Sequence, residues 1–216
     1  MKCPLCNYHS TFLLQADVRE YWSCEKCCLI FVPSKFFISK KEEIGRYLEH
    51  NNTLDNEGYV MMFQEKINTI KKICPRINTV LDYGCGYEPV LKGLLKQEGY
   101  KADGYDLNFF PSEELEKKYD LIISTETFEH IKNPREELAC LLPKVSNKGY
   151  LAIMTRFYPI VDSALCLESF SQWYYKRDPT HIAFYSKKTF SWIADEFKMK
   201  ICYNNNFDFT IFQKKQ

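Results

Sequence analysis

The chain has 216 residues, a formal net charge of +1, 45% apolar residues and 16% aromatic residues. That apolar share excludes a disordered chain and suffices for one ordinary domain with a small appendage. The charges nearly cancel, with only a modest basic excess toward the C-terminus. No block announces nucleic acid, and no apolar run reaches bilayer-spanning length.

The opening MKCPLC lacks the apolar core of a secretory signal, so a soluble cytoplasmic protein with no membrane partner is expected. In a reducing compartment, ten cysteines point to metal ligands or core thiols rather than disulfides. Cys3 and Cys6 form one C-x2-C pair, and Cys24 and Cys27 form a second after seventeen intervening residues. Two such knuckles, brought together by a small sheet, aim four thiolates at one structural zinc ion. TFLLQA and EYWSC are the expected strands, and CLIFVP leads out. Residues 1–35 cannot bury a stable core alone, so a metal staple makes physical sense for this zinc-ribbon-like module. Cys28 is expected to be a spare, and a closed four-thiolate site leaves no open position for catalysis.

Residues 36–216 read as a second domain. Helical spacing runs over residues 39–50 and 58–74, and Pro75 stops the second helix. NTVLDYGCGYEPVLKGLLKQ then reads as strand, glycine turn and helix. Gly84 and Gly86 allow a tight turn and close backbone approach to a ligand. KADGYDLN supplies a second strand ending at Asp106, twenty residues beyond Gly86, where a carboxylate can bind the ribose hydroxyls of an adenosine. DLIIST, PREELACLLPKV and GYLAIMT give strand, helix, strand. A helix over residues 186–197 and two strands split by Asn204, Asn205 and Asn206 close the chain. Strands alternating with helices imply an α/β fold with a mostly parallel sheet, its ligands at the carboxyl ends of the strands.

A dinucleotide enzyme would carry G-x-G-x-x-G, but the third glycine is missing here, and Asp82 before the turn disfavours phosphate. The D-x-G-C-G pattern of Asp82, Gly84 and Gly86, with Asp106 after the next strand, resembles class I methyltransferases that use S-adenosylmethionine (SAM). The resemblance implies a Rossmann-like, doubly wound, seven-stranded sheet with an antiparallel C-terminal hairpin. It also implies that Asp82 and the glycine turn hold the methionine part of SAM while Asp106 holds the ribose. Tyr83, Cys85, Leu107 and Thr125 flank these positions and are expected beside the cofactor.

Glu126, Glu129 and His130 follow the DLIIST strand at helical i, i+3, i+4 spacing, which brings them to one face if a helical turn begins near Thr127. Two carboxylates and an imidazole suit a divalent ion such as Mg²⁺, Mn²⁺ or Zn²⁺. ETFEH resembles the E-x-x-E-H segment of ubiquinone-pathway O-methyltransferases and of Hen-type small-RNA 2′-O-methyltransferases, the latter holding a metal with a later histidine. His181, in WYYKRDPTHIAFYS, is such a later histidine and serves either as general base or as a further ligand. Glu129 equally fits a cap or an ion pair with Lys132 or Arg135. Trp173, Tyr174, Tyr175 and Tyr185 read as core or as pocket wall, with Arg177 available for an anionic group. RYLEHNN, residues 46–52, reads as a lid over the cofactor or as a solvated helix end.

The four-cysteine module on this fold resembles the sugar C-methyltransferases of deoxysugar pathways, which use a histidine base. Certain ribosomal-RNA guanine methyltransferases also begin with a zinc module, but with Cys and His in the second pair. The chain lacks the N/D-P-P-Y element of exocyclic-amine methylation. The expected activity is methyl transfer to oxygen or carbon of a small-molecule acceptor, with His181 or His130 as base and Glu126 and Glu129 orienting them or holding Mg²⁺ or Mn²⁺. RNA methylation and a non-catalytic SAM-binding or zinc-mediated interaction protein are the alternatives. The sequence names neither the acceptor nor the oligomeric state.

Overall fold

Alternation of side chains makes the first hairpin. In the computed structural model, which describes residues 1–49, 52–111, 117–162 and 164–215, β1 (Ser10–Ala16) pairs antiparallel with β2 (Arg19–Cys24). The turn residues Asp17 and Val18 have φ of 49° and 59°, the paired positive values of a two-residue hairpin turn. The short β3 (Ile30–Phe31) extends this sheet beside β2.

The helix α1 (Lys40–Leu48) starts at a capping box, with Ser39 accepting from the Glu42 amide and the Glu42 carboxylate accepting from the Ser39 amide. The longer α2 (Glu57–Ile73) is capped by Asn56 and ends before Pro75. The elements β4 (Thr79–Tyr83), α3 (Val90–Gln97), β5 (Lys101–Tyr105), β6 (Tyr119–Thr125), α4 (Pro134–Leu141) and β7 (Val145–Met154) follow in the expected alternation. A small ribbon of β8 (Ile160–Val161) and β9 (Ala164–Leu165) leads to α5 (Leu167–Gln172). The chain then runs through β10 (Ala183–Phe184), α6 (Lys187–Glu196), β11 (Met199–Asn204) and β12 (Phe209–Lys214).

The central sheet has the order β11-β12-β7-β6-β4-β5. β5, β4, β6 and β7 are parallel, and β12 and β11 form the antiparallel C-terminal hairpin. Among the described residues the sheet has six strands rather than the seven implied by the resemblance. Only thirteen residues separate β5 from β6, too few for another parallel strand with its own crossovers.

β6 is buried on both faces, as a parallel central strand must be. Leu121 and Ile123 pack with Phe63, Ile67 and Ile70 of α2 and with α3, while Ile122 packs with Leu138 of α4 and Phe190 of α6. Cys3, Leu5, Cys24, Cys27 and Phe31 belong to that same second cluster, so the N-terminal hairpin rests on the α4/α6 side of the core. β10 also pairs antiparallel with β3, completing the order β1-β2-β3-β10. No helix among the described residues is long and apolar enough to cross a membrane.

Candidate active site

The glycine turn closes against its neighbours through backbone bonds. The amides of Gly84 and Cys85 both donate to the Tyr105 carbonyl, at 2.7 and 3.1 Å. Gly84 has φ +82°, and a Cβ there would lie 2.2 Å from Thr127 Oγ1. Gly86 has φ +68° with open space where its Cβ would be, so side-chain-free backbone faces the cleft. Asp106 pins this turn: Oδ2 accepts from the Gly86 amide at 3.1 Å, and Oδ1 accepts from the Asn108 and Phe109 amides at 2.8 and 3.2 Å.

Asp82 lies behind the turn rather than on the cleft wall. It is 1% exposed, and Oδ2 accepts from the Lys92 amide at 3.1 Å in the first turns of α3. Its Oδ1 has no hydrogen-bond partner among the described residues. Burial raises its pKa to about 7.

The cleft that opens over the turn has a volume of about 1130 Å³, ample for a cofactor and an acceptor together. Tyr83, Gly84, Cys85, Gly86, Asp106, Leu107 and Thr125 all line it. Tyr83 stacks on Tyr105 at 5.1 Å and directs its hydroxyl to Glu137. Arg46 and Tyr47 of α1, in the segment expected as a lid, also line the cleft, whereas His50 and Asn51 lie outside the described residues.

Glu126, His130, Tyr175 and His181 line the same cleft. After β6 the chain turns through Glu126, with φ 49°, into a 3-10 turn over Phe128–His130. Glu129 points inward and is completely buried, while Glu126 faces the cleft. Between them stands Tyr175, whose hydroxyl lies 2.6 Å from Glu129 Oε1 and 3.0 Å from Glu126 Oε2. One hydroxyl proton serves one acceptor at a time. Burial, reinforced by the Glu126 charge, holds the Glu129 pKa well above the usual carboxylate range, and burial raises Glu126 too. Glu129 Oε2 is buried with no hydrogen-bond partner among the described residues.

Each histidine is anchored through Nδ1. His181 Nδ1 lies 2.7 Å from the Tyr175 carbonyl and His130 Nδ1 lies 3.1 Å from the Thr180 carbonyl. A carbonyl only accepts, so both rings donate from Nδ1, which leaves Nε2 as the acceptor nitrogen of a neutral ring. The rings sit 4.8 Å apart, and His130 Nε2 is 3.9 Å from Glu129 Oε1. Burial, then the nearby His181, drives the His130 pKa down to about 3, so that ring is neutral. Spacing along the chain grouped Glu126 with Glu129 and His130. The structure instead gathers Glu129, His130 and His181, with one ligand atom of each within 4.8 Å of the others.

Other expectations shift. Tyr185 is core, fully buried and donating to the Phe128 carbonyl at 3.1 Å. Tyr174 and Arg177 line the cleft, and Trp173 packs on Tyr175 at 5.1 Å. Arg135 pairs with Glu196 and Lys132 lies over Phe37, so neither partners Glu129. Thr127, which abuts Gly84, and Arg19, which reaches the His181 loop, carried no sequence signal because both act across long separations.

A profile described as a methyltransferase domain matches residues 55–201. The chain belongs to this methyltransferase family. A search of curated sequences finds no match. Among solved structures, the plantazolicin methyltransferase BpumL in complex with SAH is similar at 16% identity and a TM-score of 0.51, covering 85% of this chain and 93% of that one. A SAM-dependent methyltransferase from Archaeoglobus fulgidus gives 19% identity and 0.53, over 72% and 94%. DesVI from Streptomyces venezuelae gives 10% and 0.51, over 83% and 100%. At such identities the likeness is one of fold.

The methyltransferase carries its four-cysteine cluster outside the matched region. Cys3 Sγ lies 3.5 Å from Cys27 Sγ, and Cys6 Sγ 3.3 Å from Cys24 Sγ. A zinc tetrahedron with ~2.3 Å arms has edges of ~3.8 Å, so the donor set fits with little adjustment. As bare thiols they share protons unevenly. The Cys27 thiol lowers Cys3 to about 6, burial pushes Cys6 up to about 12, and Cys27 is raised by its contact with Cys3. A cation at the centre removes that conflict. Cys28 stands apart, its carbonyl accepting from Tyr158 and Thr189.

Proposed function

We propose that this methyltransferase transfers a methyl group from SAM to an oxygen or carbon of a small-molecule acceptor, with His181 as the base. The observation that carries the reading is the shared cleft: the glycine turn and the side chains of Glu126, His130, Tyr175 and His181 all line it, with the buried Glu129 bonded to the Tyr175 hydroxyl. The residues fit SAM. A Cβ at Gly84 would collide with Thr127, Gly86 leaves open space, and Asp106 and Leu107 stand where β5 ends. SAM supplies an activated methyl on a sulfonium, so the protein's task is mainly positioning.

In this reading the Gly84–Gly86 backbone and Asp106 bind the cofactor, with Tyr83, Cys85, Leu107 and Thr125 around it. Asp82 acts from behind by tying the turn to α3. His181 takes the acceptor proton at Nε2, while its Nδ1–H on the Tyr175 carbonyl holds the productive tautomer. His130, kept neutral, and Glu126, which shares the Tyr175 hydroxyl with the buried Glu129, orient the acceptor. The zinc-held module of residues 1–35 and the catalytic domain of residues 36–216 are the two parts. A reducing, cytoplasmic setting, in which thiols stay available as metal ligands, belongs to the same reading. The test is SAH release against candidate acceptors, alongside calorimetric SAM binding: His181→Ala must keep SAM affinity and lose transfer. SAM binding without transfer to any acceptor would favour a non-catalytic binding protein, and salt-dependent RNA retention an RNA substrate.

The orphan Glu129 Oε2 favours a second reading, in which Glu129, His130 and His181 hold a divalent ion. Carbonyl-anchored imidazoles are typical of metal-ligating histidines. Two nitrogens and one oxygen suit Zn²⁺ or Mn²⁺ better than Mg²⁺. Titration with Mn²⁺, followed by electron paramagnetic resonance, decides it: saturable binding abolished in Glu129→Gln supports the ion, and no binding leaves His181 as the base.

A further inference from the structure

The loop that carries His181 is bound to the N-terminal hairpin by side chains more than 150 residues away. Arg19, the first residue of β2, is only 6% exposed. Its guanidinium donates from Nη1 to the carbonyls of Pro179 and His181, at 3.2 and 3.1 Å. From Nη2 it donates to the carbonyl of Asp178 at 3.2 Å and to that of Lys176. Tyr21 adds a hydroxyl bond to the Lys176 carbonyl at 3.3 Å, and Arg19 lies over the Tyr21 ring. The fully buried Lys176 ammonium pairs with Asp17 at the hairpin tip.

Lys176 belongs to a 3-10 turn over Tyr174–Arg177 and the other three carbonyls to the irregular backbone after it, and buried carbonyls require donors. A planar guanidinium with five N–H groups can serve several at once, whereas an ammonium presents a single point. The same segment supplies the Tyr175 and Thr180 carbonyls that anchor His181 and His130. The clamp therefore sets the backbone on which both imidazoles depend.

We propose that Arg19 is a positioning residue for methyl transfer: the hairpin of the four-cysteine module fixes the loop of residues 176–181 and so aims the His181 imidazole. The proposal rests on the reading that His181 acts on the acceptor. It gives the appended module a role in the reaction rather than in partner binding.

The test compares Arg19→Lys, Asp17→Asn and the unaltered full-length protein by hydrogen exchange, by NMR of the histidine ring N–H signals, and by SAM affinity. Asp17→Asn covers the case in which Arg19→Lys fails to fold. The expected result is exchange at least tenfold faster at the amides of residues 180–182 and loss of the His181 Nδ1–H signal. SAM affinity stays within about twofold. Transfer falls roughly ten- to a hundredfold, and Arg19→Lys adds no further loss to His181→Ala. Unchanged exchange and ring signals in both folded variants, or an exchange increase spread evenly over the chain, overturns the clamp. If His181→Ala leaves transfer intact, the functional reading fails on its own, while the exchange and ring signals still judge the clamp.

Discussion

Gly84 and Thr127 meet at the junction of two strand ends, the glycine after β4 and the threonine just beyond β6, so closely that a Cβ on Gly84 would lie 2.2 Å from Thr127 Oγ1. The contact locks the glycine turn to the start of the acidic 3-10 turn. Gly84→Ala adds this collision to an unfavourable positive φ and should destabilise the fold by about 2–4 kcal/mol in denaturant unfolding. Gly86→Ala meets no neighbour and should cost only ~1–2 kcal/mol while weakening SAM binding more than tenfold. Equal losses of stability in the two variants would contradict this division.

His181→Ala should lower methyl transfer by about 10²–10⁴-fold, the range of a lost general base, with SAM binding nearly unchanged. His181→Asn fills similar space without a titratable nitrogen and should be as inactive. Comparable SAM affinity and retained SAH release in either variant would remove His181 from the reaction.

Asp82 should make stability pH-dependent. Its pKa is about 7 in the fold because burial disfavours the charged form, against ~3.9 in the unfolded chain. The folded state therefore holds the proton more tightly. This stabilising contribution is complete below ~4, shrinks as pH rises, and is lost through about 7, a swing on the order of 4 kcal/mol. The melting temperature of cofactor-free Asp82→Asn should thus gain on wild type between pH 4.5 and 7.5. A constant difference across that range would show that Asp82 does not titrate there.

Elemental analysis of the purified protein should find one zinc per chain, and Cys24→Ser should lose it. Cys3, Cys24 and Cys27 share a hydrophobic cluster with Leu138, Ile153 and Ile193. Loss of the metal should therefore lower the melting temperature by roughly 10 °C rather than release a detached module. An unchanged melting curve would mean that the thiols pack without a metal.

The strand–turn–helix around Gly84 and the strand ending at Asp106 were legible because their signals are local: β-branched runs, obligatory glycines, and a fixed distance to the acid. The same holds for the four cysteines, whose two C-x2-C pairs flank one hairpin and meet at its base. The burial of Asp82 behind the turn carried no local signal, since depth is set by packing. Tyr185 shared a stripe with the pocket residue Tyr174, and only packing sent one inward and left the other exposed.

Sequence by itself determined the alternation of β4 through β7, the glycine turn and the four-cysteine set, since each follows from periodicity or spacing over a short stretch of chain. Tertiary structure alone decided that β10 pairs with β3, that Tyr175 stands between Glu126 and Glu129, and that Arg19 binds the His181 loop. Strands of two residues have no measurable period. Irregular backbone takes its shape from whichever distant donors satisfy its carbonyls, and here those donors lie some 160 residues away.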